Sequence, residues 1–331
     1  MSSSFVLIGF TQYEDLVKSE FDEKHPWMIN KIGGTPVFSP NIDRLEKVIQ
    51  DQLKNLTCQN CTTSLSLVIQ IYCPVDDKPD DRVLYIFACV NRRCESKKWL
   101  VLRCMSPVVR LVAAKKIKKH DSWIGDQDDW GDDELPEIIV DDTYESKSLN
   151  CIAFEANNKF TPLYLMVDEE ANLLAKDVSK NSSISTKGDA VSEAFLQENY
   201  EKTLLPGTDE ISHKFTKSLI KCPYQCIRYS WSGTAILNRS DAEVPVTTCS
   251  HCGSERTFEL QIMPAILNYL RGDDENLMND IDFGTILVYS CAANCSSEAL
   301  NIEYCLVLDD PDNDFLSSKL KNSANNSSLV S

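Results

Sequence analysis

The sequence predicts a mainly β protein of the α+β class, built from internally duplicated β-sheet halves with CxxC knuckles and joined by an acidic linker. Three observations carry this. The stretches "CQNCTTSLSLVIQIYCP" (58–74) and "CSHCGSERTFELQIMP" (249–264) share one skeleton, in which a CxxC pair is followed by Gln-Ile (Gln70-Ile71, Gln261-Ile262) and then by a proline (Pro74, Pro264). The apolar residues of both stretches alternate with period two, as in strands half-buried in a sheet. Between the two copies the composition changes to a run of carboxylates.

The elements follow in order. In the first copy "LSLVIQIYC" (65–73) is a strand, "RVLYIFAC" (82–89) a second, and "KWLVLR" (98–103) a third. In the second copy "FELQIM" (258–263), "GTILVYSC" (284–291) and "IEYCLVL" (302–308) take the same places, with a short helix-like insert, "PAILNYL" (264–270), after the first strand. Upstream, "KIGGTPVF" (31–38) parallels "SWSGTAIL" (230–237), so that Gly34-Thr35 aligns with Gly233-Thr234. Gly33-Gly34 before Thr35-Pro36 reads as a turn. Four zones result: residues 1–112 form the N-terminal half, 113–195 an acidic, flexible linker, 196–310 the C-terminal half, and 311–331 a polar tail expected to be disordered.

The cysteines pair by strand geometry. A strand leaving a CxxC and an antiparallel partner returning beside it bring the end of the second strand back to the start of the first. Cys89 and Cys94 then arrive beside Cys58 and Cys61, and Cys291 and Cys295 beside Cys249 and Cys252. Four thiolates at one end of a hairpin suit tetrahedral zinc, so the expected cofactors are two structural zinc ions, with no open position for catalysis. The competing reading is buried free thiols, which is the account given to Cys73, Cys104 and Cys305 in their strand patterns.

Composition bounds the function. Net charge is −17 in 331 residues, which disfavours direct, sequence-specific nucleic-acid binding and favours basic partners. The start "MSSSFVLIGFTQYED" lacks a basic n-region, and no stretch approaches the ~18 apolar residues of a membrane span. The chain is expected to be cytoplasmic, shuttling through the nucleus, with its cysteines as thiols or metal ligands. Residues 121–145 hold eleven carboxylates and no Lys or Arg. Within them Trp123, Asp128, Asp129, Trp130, Asp132, Asp133 and Glu134 are the candidate contacts for a basic client, against the alternative of a solvated linker. "KKIKKH" (115–120) resembles a nuclear localisation patch, and "LYLMVDEEANLL" (163–174) has leucines spaced for a nuclear export receptor, although any amphipathic helix looks the same. Four histidines (His25, His120, His213, His251) and no phosphate-binding or nucleophile-elbow motif argue against an enzyme.

Taken together, "KIGGTPVF", "RVLYIFACVNRRC", "DDWGDDE", "NYEKTL", "CPYQCIRYSWSG" and the two CxxC stretches resemble the programmed cell death protein 2-like family. The sister family carries a MYND zinc finger between its halves. Residues 113–195 here hold one cysteine, Cys151, and one histidine, His120, from which that finger cannot be built. The resemblance implies a duplicated β-rich fold. It also implies an escort of one basic small-subunit ribosomal protein, the eukaryotic relative of bacterial S-five, associated with the pre-40S particle and its export. An older description of the family implies an adaptor acting on cell proliferation or cell death.

Overall fold

The computed structural model describes residues 5–11, 25–38, 56–75, 80–91, 93–94, 98–107, 152–153, 160–173, 210–245, 247–270, 281–296 and 300–311. Its strands are β1 (Leu7–Phe10), β2 (Lys31–Ile32), β3 (Val37–Phe38), β4 (Ser66–Tyr72), β5 (Asp80–Ala88), β6 (Trp99–Pro107), β7 (Ile152–Ala153), β8 (Leu163–Tyr164), β9 (Met166–Glu169), β10 (Ile227–Tyr229), β11 (Arg256–Ile262), β12 (Thr285–Cys291) and β13 (Leu300–Leu308). An α-helix, α1 (Glu210–Lys221), precedes β10, and the sequence reading did not foresee it; residues 170–173 are helical as well. The charged ends of α1, Glu210 in the first turn and Lys221 in the last, match the helix dipole.

The main sheet has eleven strands in the order β8-β2-β4-β5-β6-β13-β12-β11-β10-β1-β9. The edge strands β8 and β9 are separated in the chain by Leu165 alone, so the sheet must curl until its two edges meet on one extended segment. Closure of this kind removes the open edges that would otherwise recruit other chains. No helix among the described residues is long and apolar enough to cross a membrane.

The duplication is visible in the ladders. Gln70 faces Tyr85, and Gln261 faces Leu287. Both hairpins carry an irregularity at the same place, between Leu67 and Ile69 and between Phe258 and Leu260, where an extra residue kinks the strand. The halves then join antiparallel through β6 and β13, with Leu102 facing Ile302.

Inward side chains of both halves make one apolar cluster, including Ile69, Ile71, Leu84, Ile86 and Val101 from one half and Leu260, Ile262, Ile286 and Val288 from the other. Each such side chain contributes roughly 1.5–3 kcal/mol on full burial. The outer face of the N-terminal half is covered by a second cluster containing Trp27, Phe38, Tyr85 and Phe87, and that of the C-terminal half by a smaller one around Phe258, Leu287 and Leu308.

The helix-like insert after β11 is a 3₁₀ turn, Pro264–Asn268, as expected. Three details differ from the sequence reading. Residues 152–169, placed by composition in the linker, supply β7, β8 and β9. Strand β1, placed in the N-terminal half, pairs with β10 and β9 on the C-terminal side. The upstream alignment is shifted: Lys31 faces Gln70 and Arg228 faces Gln261, so Lys31 matches Arg228 and not Ser230. The Gly-Thr match is recovered further on, where Val37 and Ile236 both donate a backbone N–H to the repeated glutamine at 3.0 Å. The loop of the second copy is therefore longer by two residues. Gly33 and Gly34 do form the expected turn, with φ of 64° and 68°, a region that favours glycine.

Candidate metal centres

Each CxxC sits in a tight loop closed by a single bridge, Thr57 to Ser64 in the first half and Thr248 to Glu255 in the second. Within the loops the Cys58 N–H donates to the Thr63 carbonyl at 2.8 Å and the Cys249 N–H to that of Ser254 at 2.8 Å. Thr62 (φ 59°) and Gly253 (φ 73°) take the left-handed conformation that turns both cysteines to one side. Glycine adopts it without strain, whereas the β-branched threonine does so only under constraint.

The returning strands deliver the second pairs as the strand geometry requires. Cys58 Sγ lies 3.6 Å from Cys94 Sγ, and Cys61 Sγ 3.5 Å from Cys89 Sγ. In the other half Cys249–Cys295 is 3.6 Å and Cys252–Cys291 is 3.4 Å. All four sulfurs of each group lie within 4.8 Å of one another. Bonds of ~2.3 Å to a tetrahedral ion place sulfurs about 3.8 Å apart. The structure thus brings together all eight predicted cysteines, in two groups of four that could each hold a metal ion.

The two groups differ in exposure. In the first, Cys58, Cys89 and Cys94 are buried and Cys61 is half-buried; in the second, Cys249 and Cys291 are buried, Cys295 is half-buried and Cys252 is exposed. Hydrogen bonds from Thr63 lower Cys61 to about 6, and those from Ser254 lower Cys252 to about 6. Burial pushes Cys89 and Cys295 up to about 12. Each group therefore pairs a thiol already poised as thiolate with one that needs a cation to ionise, as metal binding releases protons.

Family models agree with this two-part layout. The model for the N-terminal domain of programmed cell death protein 2 matches residues 6–115, and the model for its C-terminal domain matches residues 209–309. The chain belongs to the programmed cell death protein 2-like family. It is 29% identical over 339 residues to the human protein named programmed cell death protein 2-like, covering 86% of this chain and 91% of that one. It is 37% identical over 95 residues to the rat programmed cell death protein 2, covering 27% of this chain and 26% of that one. A Schizosaccharomyces pombe protein named "Probable 20S rRNA accumulation protein 4" is 22% identical over 360 residues, covering 80% of this chain and 87% of that one. No solved structure matches the chain.

In this member of the family the second cysteine group is tied to a buried ionic network that sequence reading missed. Arg82 of β5 forms a two-bonded ion pair with Glu259 of β11, its Nη2 donating to Oε2 at 2.8 Å. Arg82 Nε also donates to Asn294 Oδ1 at 2.9 Å, and its guanidinium carbon lies 5.1 Å from the centre of a Trp231 ring. Burial works against the Arg82 charge, and the Glu259 carboxylate beside it more than offsets this, so the guanidinium is held above its ordinary range. Arg103 of β6 donates to Glu303 at 2.6 Å and to the backbone carbonyl of Cys295 at 2.6 Å. Glu303 in turn accepts from the Cys291 N–H at 3.2 Å and pairs with Arg256 at 3.1 Å. Arginines of one half thus hold the loop of the other half's cysteine group.

The opposite joint is apolar. Tyr85 faces Leu102 and its counterpart Leu287 faces Leu306, which makes Trp99 the counterpart of Glu303, and the shared irregularity makes Val68 the counterpart of Glu259. Trp99 meets Phe283 edge-on at 5.4 Å. One joint is closed by charges and the other by rings, and no period in the sequence announces which.

The repeated glutamines were legible as a motif, though not in their role. Gln70 Nε2 donates to the carbonyls of Pro26 at 3.2 Å and Ile29 at 3.1 Å. Gln261 Nε2 donates to the Ile236 carbonyl at 2.7 Å and to Thr285 at 2.9 Å. Each is a buried amide that pins a crossing loop to the sheet. A polar residue at the same place in both strand patterns was the available signal.

Trp123, Asp128, Asp129, Trp130, Asp132, Asp133 and Glu134, with the basic patch 115–120, lie outside the described residues. The stretch 163–174, read for its leucine spacing, is part strand and part helix. Leu163 and Leu165 belong to the strand segment that closes the sheet, and both pack on the core. Residues 170–173, beyond that segment, are helical, with Leu173 half-buried. The strand over 163–169 was overlooked because its residues do not alternate and the leucine spacing fits a helix as well.

Proposed function

We propose that the chain is a non-enzymatic escort of a basic small-subunit ribosomal protein, the eukaryotic relative of bacterial S-five, acting on the way to the 40S subunit. The single observation that carries this reading is the length of the match to the fission-yeast protein named for 20S rRNA accumulation, which spans 87% of that protein. The net charge of −17 supports it, because an acidic carrier shields a basic client from RNA and speeds their encounter. The cysteine groups serve as structural zinc sites: four thiolates complete the coordination shell and leave no place for a reacting water. The chain then works in the cytoplasm and passes through the nucleus with its client.

The test is affinity purification of the tagged full chain at physiological salt, with precursor rRNA measured after depletion. A stoichiometric basic ribosomal protein and accumulated 20S rRNA are expected. Signalling or transcriptional partners, with unchanged precursor rRNA, would replace the escort with an adaptor of cell proliferation or death.

A further inference from the structure

The two halves part company at one matched position. In the N-terminal half β3 crosses the outer face of the sheet, held by Val37 N–H on Gln70, and there it pairs antiparallel with β7, Val37 facing Ala153 and Phe38 facing Ile152. In the C-terminal half Ile236 N–H is held in the same way on Gln261, so Ile236-Leu237 is the counterpart of Val37-Phe38. Among the described residues no strand pairs with Ile236-Leu237, and the Leu237 backbone has no hydrogen-bond partner. The Leu237 side chain is nonetheless anchored on the outer cluster with Leu308. A fixed two-residue edge is thus offered where the other half fills the same edge with a strand.

The surroundings say what chemistry fits. Ala242 packs on the same cluster as Leu237, which brings its neighbours Asp241 and Glu243, both exposed, to the rim. Asn238 donates to the backbone carbonyl of Asp309 at 2.9 Å, which brings Asp309 and Asp310 there as well. Among the described residues Arg239 stands with these carboxylates and bonds Asp241 at 2.7 Å. The rim is net negative, and Val244, 38% exposed, adds apolar surface beside it.

We propose that the backbone edge at Ile236-Leu237 is a docking site for an extended, basic segment of a protein partner, which adds to it as β7 adds to β3. Backbone hydrogen bonds supply affinity in strand addition and side chains supply selectivity. The Leu237 N–H and carbonyl bond the segment, while its Lys or Arg residues face Asp241, Glu243, Asp309 and Asp310. The identity of the partner rests on the escort reading, and the edge names where the client chain enters.

The experiment uses the full chain with two probes: the basic ribosomal client, and a decapeptide of alternating lysine and valine. Amide exchange at Leu237 should slow when either probe is added, and the protection should fall with rising salt. Leu237→Pro removes the N–H, while Leu237→Ala keeps it and loses only packing. The proline variant should bind about tenfold more weakly than the alanine variant. Should the proline variant fail to fold, exchange at Leu237 in the unmodified chain decides. Equal binding by the two variants, or no protection at Leu237, overturns the proposal and leaves the escort reading standing if the client still binds. Protection by the decapeptide without binding of the client removes the escort reading and keeps the edge. Protection already present in the isolated chain and lost on removal of residues 312–331 assigns the edge to the chain's own tail and overturns the proposal.

Discussion

Removing Glu259 tests whether the buried ion pair holds the two halves together. Its side chain is 0% exposed and that of Arg82 is 1% exposed, so neither charge has water to fall back on. Glu259→Leu leaves a guanidinium buried with Asn294, the Cys73 sulfur at 3.0 Å, the Cys73 carbonyl at 3.3 Å and the Trp231 ring among its remaining neighbours. Breaking a buried pair from one side costs about 3–5 kcal/mol, a large part of the roughly 5–15 kcal/mol by which a domain is stable. Replacing both partners, as Arg82→Met with Glu259→Leu, removes the stranded charge and should recover most of that loss. The assay is urea unfolding of the four proteins of the double-mutant cycle, followed by tryptophan fluorescence. The coupling should exceed about 2 kcal/mol, beyond the few tenths expected of independent sites. A Glu259→Leu loss below about 1 kcal/mol, or a double variant no better than the single, would refute the claim that the pair is buried and shared between the halves.

Elemental analysis of purified protein should find two zinc ions per chain, and Cys252→Ser should lower stability more than Cys151→Ser, because ligand binding is folding free energy; metal-free, fully folded protein contradicts this. In the metal-stripped chain the exposed Cys252 should be alkylated first. Because its thiol is lowered, thiolate forms as pH rises through about 6 and persists above it, so the rate should climb there and level off; a climb only near the ordinary 9.0 removes the role given to Ser254. Gln261→Leu should cost about 1–3 kcal/mol in a urea titration, since it leaves the Ile236 N–H and carbonyl without their partner. Replacing Asp128, Asp129, Asp132, Asp133 and Glu134 with Ser should slow association with the basic client and flatten its salt dependence in stopped-flow mixing; an unchanged rate makes the acidic run a spacer.

The repeated unit, its strands and its cysteine groups were legible along the chain. Period-two alternation and antiparallel return are local properties, and the CxxC turns are set by residues within six positions of one another. They suffice to predict that Cys89 and Cys94 come home to Cys58 and Cys61. How the units combine is not local. Leu163 to Glu169 carries too little alternation to stand out, and it becomes strand only because two sheet edges wait on either side of it. Strand β1 lies over 200 residues from its partner β10, beyond any pattern read along the chain. Arg82 and Glu259 look like ordinary solvated charges in their own strands. Only the antiparallel joint of β6 and β13 turns them inward and toward each other, where exclusion of water makes their pairing obligatory. Tertiary structure also decided that two equal hairpin units become one closed sheet, because closing both edges at once satisfies backbone groups that neither half can satisfy alone.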